Sequence, residues 1–154
     1  MSLKDVKPLS NFDINSKMKK AIGDVYIGTV DCDSFPTPPS TRGPWAFIAN
    51  TEKDTTRKVG HWTAIVLDKS GLAHYFDSYG QPVPFDSWRR YLKSISKNNH
   101  YYSSTIQIQP LDSNICGHLC IYYIYKRLEK PYLSDSNIVR AIDLARAVEF
   151  VKIL

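Results

Sequence analysis

The stretch His61-Trp62-Thr63-Ala64-Ile65-Val66-Leu67-Asp68-Lys69-Ser70-Gly71-Leu72-Ala73-His74-Tyr75-Phe76-Asp77 reads as a β-hairpin, and the rest of the fold is built around it. His61 to Leu67 is nearly continuous apolar, the pattern of a central strand buried on both faces. Asp68-Lys69-Ser70-Gly71 supplies the turn, and Leu72 to Phe76 returns as a second strand. His61 opens the first strand and Asp77 follows the second, so both fall at the same end of the sheet. A five-residue loop is expected to set them directly opposite one another; a four-residue loop shifts the pair by one and calls for a bulge. The sequence leaves that register open. In either case a carboxylate comes within reach of an imidazole, where it fixes the tautomer and raises basicity toward a third group. A purely structural His–Asp pair at a sheet end is the competing reading of the same residues.

The third group is sought in Gln109-Pro110-Leu111-Asp112-Ser113-Asn114-Ile115-Cys116-Gly117-His118-Leu119-Cys120-Ile121-Tyr122-Tyr123. A polar run gives way here to an apolar helical pattern, with Cys116 at the junction. Asp112, Ser113 and Asn114 are preferred N-caps, so Cys116 is expected in the first turn of a helix. There the unpaired N–H groups and the positive end of the macrodipole stabilise a thiolate. Gly117 is expected to leave backbone room for an approaching substrate. A cysteine in this setting is also a common small core residue, so its partners decide between the two readings.

Working outward, residues 1 to 10 lack periodicity and read as a mobile leader. Asn11 to Ile22 fits a short amphipathic helix capped by Asn11 or Asp13, and Val25 to Val30 a strand. The proline-rich segment from Phe35 to Pro44 must be loop, of a length that usually lines a cleft. Trp45 to Asn50 reads as a strand, Thr51 to Val59 as a charged loop, Trp88 to Ile95 as a helix and Ser104 to Ile108 as a strand. Pro131 ends the Cys116 helix. Ser134 or Asp135 caps a last helix with Ile138, Ile142, Ala145 and Val148 in one stripe. The connections are too short for several βαβ crossovers. The expected class is therefore α+β, a small and mostly antiparallel sheet packed against helices, in a single domain over 1–154.

The chain has 154 residues, of which 43% are hydrophobic and 23% charged, ordinary proportions for a globular domain with a real core. The net charge of +5 favours polyanionic partners such as DNA. No apolar run reaches the length of a membrane span, and no signal-peptide pattern opens the chain. Three cysteines without a CxxC pair argue against a disulfide framework and structural zinc, so a reducing, intracellular setting without cofactor or metal is expected. His118 stands two residues beyond Cys116 and cannot share its helix face. His74 falls in mid-strand and His100 in a polar loop. Cys120 is expected in the core and Cys32 as a free thiol near the proline loop.

Blocks along the chain resemble, in order, those of the adenovirus-type maturation proteases (adenain-like) and, more distantly, proteases of ubiquitin-like proteins. They are Val25–Asp31, Ala46–Thr51, Gly60-His61-Trp62, Tyr75–Gly80 and Gln109–Cys120. The order His, acid, Gln, Cys, with Gln109 seven residues before Cys116, carries most of the likeness. The resemblance implies a cysteine endopeptidase with Cys116 as nucleophile at a helix N-terminus, His61 as base and acid, and Asp77 orienting the imidazole. Gln109 and the Cys116 backbone N–H would form the oxyanion hole. Asn50, Trp62 and Gly117 fall in the substrate-binding blocks, Trp62 either shielding the imidazole or filling core. The implied setting is a virion or infected cell, and the implied substrates are capsid and core precursors, cut by a monomeric enzyme. The adenoviral enzymes carry a cysteine upstream of the glutamine that pairs with an activating peptide; Tyr101 to Ile108 has none. Two other functions stay open on these residues: a deconjugating protease for ubiquitin-like modifiers, and a non-catalytic basic DNA-packaging module.

Overall fold

A computed structural model describes residues 2–53 and 60–154. The predicted hairpin is its centre. Strand β3 (Trp62–Leu67) runs antiparallel to β4 (Ala73–Phe76) on one side and to β2 (Trp45–Asn50) on the other. All three are buried along their whole length. Side-chain alternation sends Ala46, Ile48, Trp62, Ala64, Val66 and Phe76 into one hydrophobic cluster. Trp45, Phe47, Ala49, Ile65, Leu67, Ala73 and Tyr75 enter another on the opposite face. The continuous apolar run of β3 therefore reflects helices and loops on both sides of the sheet.

The sheet is mixed, which corrects the mostly antiparallel expectation. Its order is β1-β2-β3-β4-β5, with β1 (Tyr26–Val30) parallel to β2 and β5 (Tyr101–Ser103) parallel to β4. A parallel neighbour needs a crossover of a dozen residues or more. Two connections are long enough: the proline-rich loop at 31–44, and residues 77–100, which carry helix α2 (Asp86–Ile95). Trp88 and Leu92 of α2 pack on the second cluster.

The first cluster takes helix α1 (Asn11–Ile22), helix α3 (Cys116–Glu129), and the short α4 (Asp135–Arg140) and α5 (Leu144–Lys152). Helix α1 is capped by Ser10 in a reciprocal capping box with Asp13, one residue before the expected start. The single last helix predicted from Ser134 onward is two helices. The Asp143 side chain accepts from the Arg146 N–H and starts α5 anew. Ile138, Ala147 and Val151 face the core, and Ala145 is exposed.

Two further expectations fail. The opening residues are not a free leader: Val6 and Leu9 pack on the first cluster, and the Leu9 carbonyl accepts from Trp62 Nε1 at 3.2 Å. Residues 104–108 are not a strand, because β4 has already ended and offers no ladder beyond Ser103. They bind the turn after β4 instead, with the Ile108 and Gln109 N–H groups both donating to the Ser78 carbonyl at 2.9 and 3.0 Å. The charged loop predicted over 51–59 lies outside the described residues from 54 to 59. No helix among the described residues is long and apolar enough to cross a membrane.

Candidate active site

The register of the hairpin pairs Leu67 with Ala73 across a five-residue loop and Ala64 with Phe76, without a bulge. Carried three residues past Ala64 and Phe76, that register sets Tyr79 opposite His61. Asp77 is then a diagonal neighbour of His61, not the directly opposed residue expected for a loop of this length. Diagonal neighbours on one face are within reach of long side chains. His61 Nε2 bonds Asp77 Oδ1 at 2.6 Å. The same oxygen accepts the Tyr79 N–H at 2.9 Å, which holds the carboxylate in an Asx turn.

Cys116 arrives from the opposite layer. It is the first residue of α3, and its Sγ accepts the backbone N–H of Trp62 at 3.5 Å. Its side chain is also the second hydrogen-bond partner of the His61 imidazole. With Nε2 taken by Asp77, Nδ1 is the nitrogen left for the sulfur. Burial pulls the His61 pKa down. The bonds from Asp77 and Cys116, with their negative charge, outweigh it and raise the group to about 9. The imidazole is thus a cation at neutral pH, held between a carboxylate and a sulfur.

The start of α3 differs from the prediction in a useful way. Ile115 is its N-cap, and no side chain caps it. Asp112 and Asn114 are exposed, and Ser113 bonds the Pro110 carbonyl at 2.7 Å. The first-turn N–H groups are therefore left without a side-chain acceptor beside the sulfur.

Gln109 is buried, 1% exposed, and its amide is fixed at both ends. Oε1 accepts from Ser78 Oγ at 2.5 Å, and Nε2 donates to the Ser113 carbonyl at 3.1 Å. An amide nitrogen carries two N–H groups, and these two bonds use only one of them. Gln107, which strand alternation could not separate from Gln109, is exposed and donates to the Gln109 carbonyl.

The three residues predicted to bind substrate are all buried. Trp62 is 2% exposed and fills core beside His61, its indole N–H spent on the Leu9 carbonyl. Asn50 is fully buried beneath Gly60, and its Oδ1 accepts from the Glu52 N–H at 2.8 Å. Gly117 faces inward: a Cβ there would meet Ile14 Cδ1 and Trp62 Cδ1 at 3.3 Å and Leu9 Cβ at 3.5 Å. Its small size lets the helix start sit tightly on α1 and the leader. The room it leaves is already filled.

Sequence reasoning missed the Ser78, Tyr79, Gly80 and Ser104 framework. Gly80 takes φ of +69°, and a Cβ there would stand 2.8–2.9 Å from backbone atoms of 105–107. Ser104 Oγ bonds the backbone of Asp77 from the same segment. The acid is thereby clamped to the chain that leads into Gln109. The signal for this, a Ser-Tyr-Gly turn directly after the acid, was present in the sequence without any mark of what it would touch.

The other candidates lie apart. His74 is buried at the far end of the hairpin, with both ring nitrogens taken by Asp135 and Asp68 at 2.9 and 2.8 Å, so neither can serve a nucleophile. Burial and then Lys17 push the His118 pKa down to about 4. His100 is exposed. Cys120 is fully buried, its thiol pushed well up by burial. Cys32 is half-buried, its thiol raised by burial and then by Asp33 and Asp31. Among the described residues no group of three or more His, Cys, Asp and Glu is arranged to hold a metal ion. Compared with known proteins, the chain matches no family model and no curated protein.

Proposed function

We propose that this protein is a cysteine endopeptidase of adenain-like fold, working through Cys116, His61 and Asp77 with Gln109 at the oxyanion hole. The observation that carries the reading is the imidazole bonded on one side to a buried carboxylate and on the other to a sulfur at an uncapped helix start. A structural His–Asp pair has no use for a thiol on its remaining nitrogen or for bare N–H groups beside that thiol.

In this mechanism the Cys116 thiolate attacks the scissile carbonyl carbon. The oxyanion that forms accepts hydrogen bonds from the Cys116 backbone N–H and the remaining N–H of Gln109 Nε2. The imidazolium of His61 gives its proton to the leaving amine as the C–N bond breaks. Water then adds to the thioester, His61 takes its proton, and the acid product leaves with the thiolate regenerated. Asp77 keeps its bond to Nε2 and holds the ring. The resemblance extends the reading to capsid and core precursors of a virus or virus-like element, with cleavage after small residues.

The test is incubation of the protein with a peptide library and with candidate capsid precursors, followed by sequencing of the new termini. Internal cleavage after small residues, lost in Cys116→Ala, is the expected result. Capture of a ubiquitin-family probe without internal cleavage would reassign the substrate to modifier conjugates. Absence of both cleavage and probe capture would overturn the enzymatic reading.

A further inference from the structure

We propose that Tyr79 is a positioning residue for His61: its ring, laid on the imidazole, holds the plane in which one nitrogen meets Asp77 and the other meets Cys116. The inference rests on the site just described and adds to it a residue with no assigned role. The two rings stack at 4.9 Å between centroids and 27° between planes.

The backbone around Tyr79 is built to put it there. The hairpin register, carried past its last ladder pair, brings residue 79 opposite residue 61. The Tyr79 N–H is held by Asp77 Oδ1, and the Gly80 N–H by the Asp77 carbonyl at 2.8 Å. Ser78 anchors the turn from outside through its carbonyl and its hydroxyl, and Gly80 wedges against the 105–107 backbone. These contacts fix the backbone from which the Tyr79 side chain departs, and its ring lies on His61. It is half-buried, and the imidazole is under it.

The physical need is specific. An imidazole on a strand end turns about two side-chain torsions, and rotation about the second breaks both bonds at once. Asp77 alone fixes one atom of the ring and leaves the plane free to swing about the Nε2 contact. A stacked aromatic face removes that freedom without competing for either nitrogen. It also favours the charged ring, since the face of a phenol is attractive to a cation. Among the described residues, the titratable groups on His61 are Asp77 beyond β4, Cys116 on α3 and the Tyr79 phenol itself. The phenol pKa is raised by burial and then by the charge of Cys116 and Asp77, so it stays neutral and donates no charge of its own to the ring.

Two roles for Tyr79 predict opposite signs. A ring that merely screens His61 from water destabilises the imidazolium, so its removal would raise the His61 proton affinity. A ring that positions His61 maintains the two bonds that hold the proton, so its removal lowers it. The experiment is an NMR titration of the His61 ring between pH 5 and 10 in wild type, Tyr79→Phe, Tyr79→Ala and Tyr79→Leu. Positioning predicts that phenylalanine stays within about twofold of wild type. Alanine and leucine should lower the proton affinity by at least about tenfold, one pKa unit. Leucine keeps the bulk of the cover, so the result stays readable if alanine loosens the turn. An unchanged or raised affinity in the leucine variant overturns the proposal. The readout needs no substrate: a lowered affinity in a protein that cleaves nothing would keep the positioning role and sink the peptidase reading. Active wild type with an unmoved titration would do the reverse.

Discussion

Replacing Asp77 by asparagine removes one charge from His61 Nε2 and almost no volume, and its effect on stability should depend on pH. Raising His61 from 6.5 to about 9 corresponds to about 3 kcal/mol of tighter proton binding in the folded state. Asp77 and Cys116 together supply it against the opposing pull of burial. Asparagine still offers Oδ1 to the ring N–H and to the Tyr79 N–H, so geometry survives. What is lost is the difference between a charged and a neutral hydrogen bond, about 1–1.5 kcal/mol. The sign follows from the direction of the shift. A group bound more tightly in the folded state contributes fully below its unfolded pKa, here 6.5, and the contribution fades as pH rises through about 9. Urea unfolding at pH 6 should therefore show Asp77→Asn less stable by about 1–1.5 kcal/mol. At pH 10 the difference should vanish or reverse, because the wild type then keeps a buried carboxylate beside a ring that no longer carries the opposing charge. An equal loss at both pH values would mean that Asp77 acts through packing alone, and the charged pair would have to be abandoned.

Gln109→Ala should lower kcat by about 10²–10³ with KM nearly unchanged, as expected for a donor used only in the transition state. The exposed Gln107→Ala should leave both constants alone, and a near-normal kcat for Gln109→Ala would remove it from the oxyanion hole. Deleting residues 1–9 should destabilise the fold measurably, because it strips Leu9 from Trp62 and Gly117. An unchanged melting temperature would restore the leader to the free segment its sequence suggested. Gly80→Ala should cost about 1–3 kcal/mol by chemical unfolding, from the positive φ and the close backbone of 105–107. A neutral substitution would show that the turn yields and does not clamp the acid.

The core of this fold was legible because its central strands obey simple patterns. Trp45–Asn50 and His61–Leu67 are apolar at successive positions, and only burial on both faces stabilises such runs. The junction at Cys116 was legible too, from the change of polar run to helical period. What escaped is set by partners distant in sequence. Ser104–Ile108 alternates like a strand, yet the ladder with β4 ends at Ser103; the Ser104 N–H still reaches the Tyr75 carbonyl, and the Ile108 N–H goes to Ser78. The parallel pairing of β1 and β5 depends on how two long connections cross the sheet, which no local signal records. Trp62, Asn50 and Gly117 lie in blocks that suggest a cleft, but each is consumed by core or backbone contacts. The Leu9 carbonyl that meets the Trp62 indole carries no mark in an aperiodic leader.

The proposed chemistry requires His61 and Cys116 to act as one pair, and the rate of alkylation at pH 6 reads this directly. The three thiols give internal controls: Cys120 is sealed in the core, and Cys32 is raised by burial and two nearby carboxylates. Iodoacetamide labelling followed by peptide mapping should therefore find Cys116 modified first in the wild type. His61→Ala should slow that modification by at least about tenfold while Cys32 labels as before. Equal rates at Cys116 in the two proteins, or Cys32 labelling ahead of Cys116, would contradict the pairing on which the proposed chemistry depends.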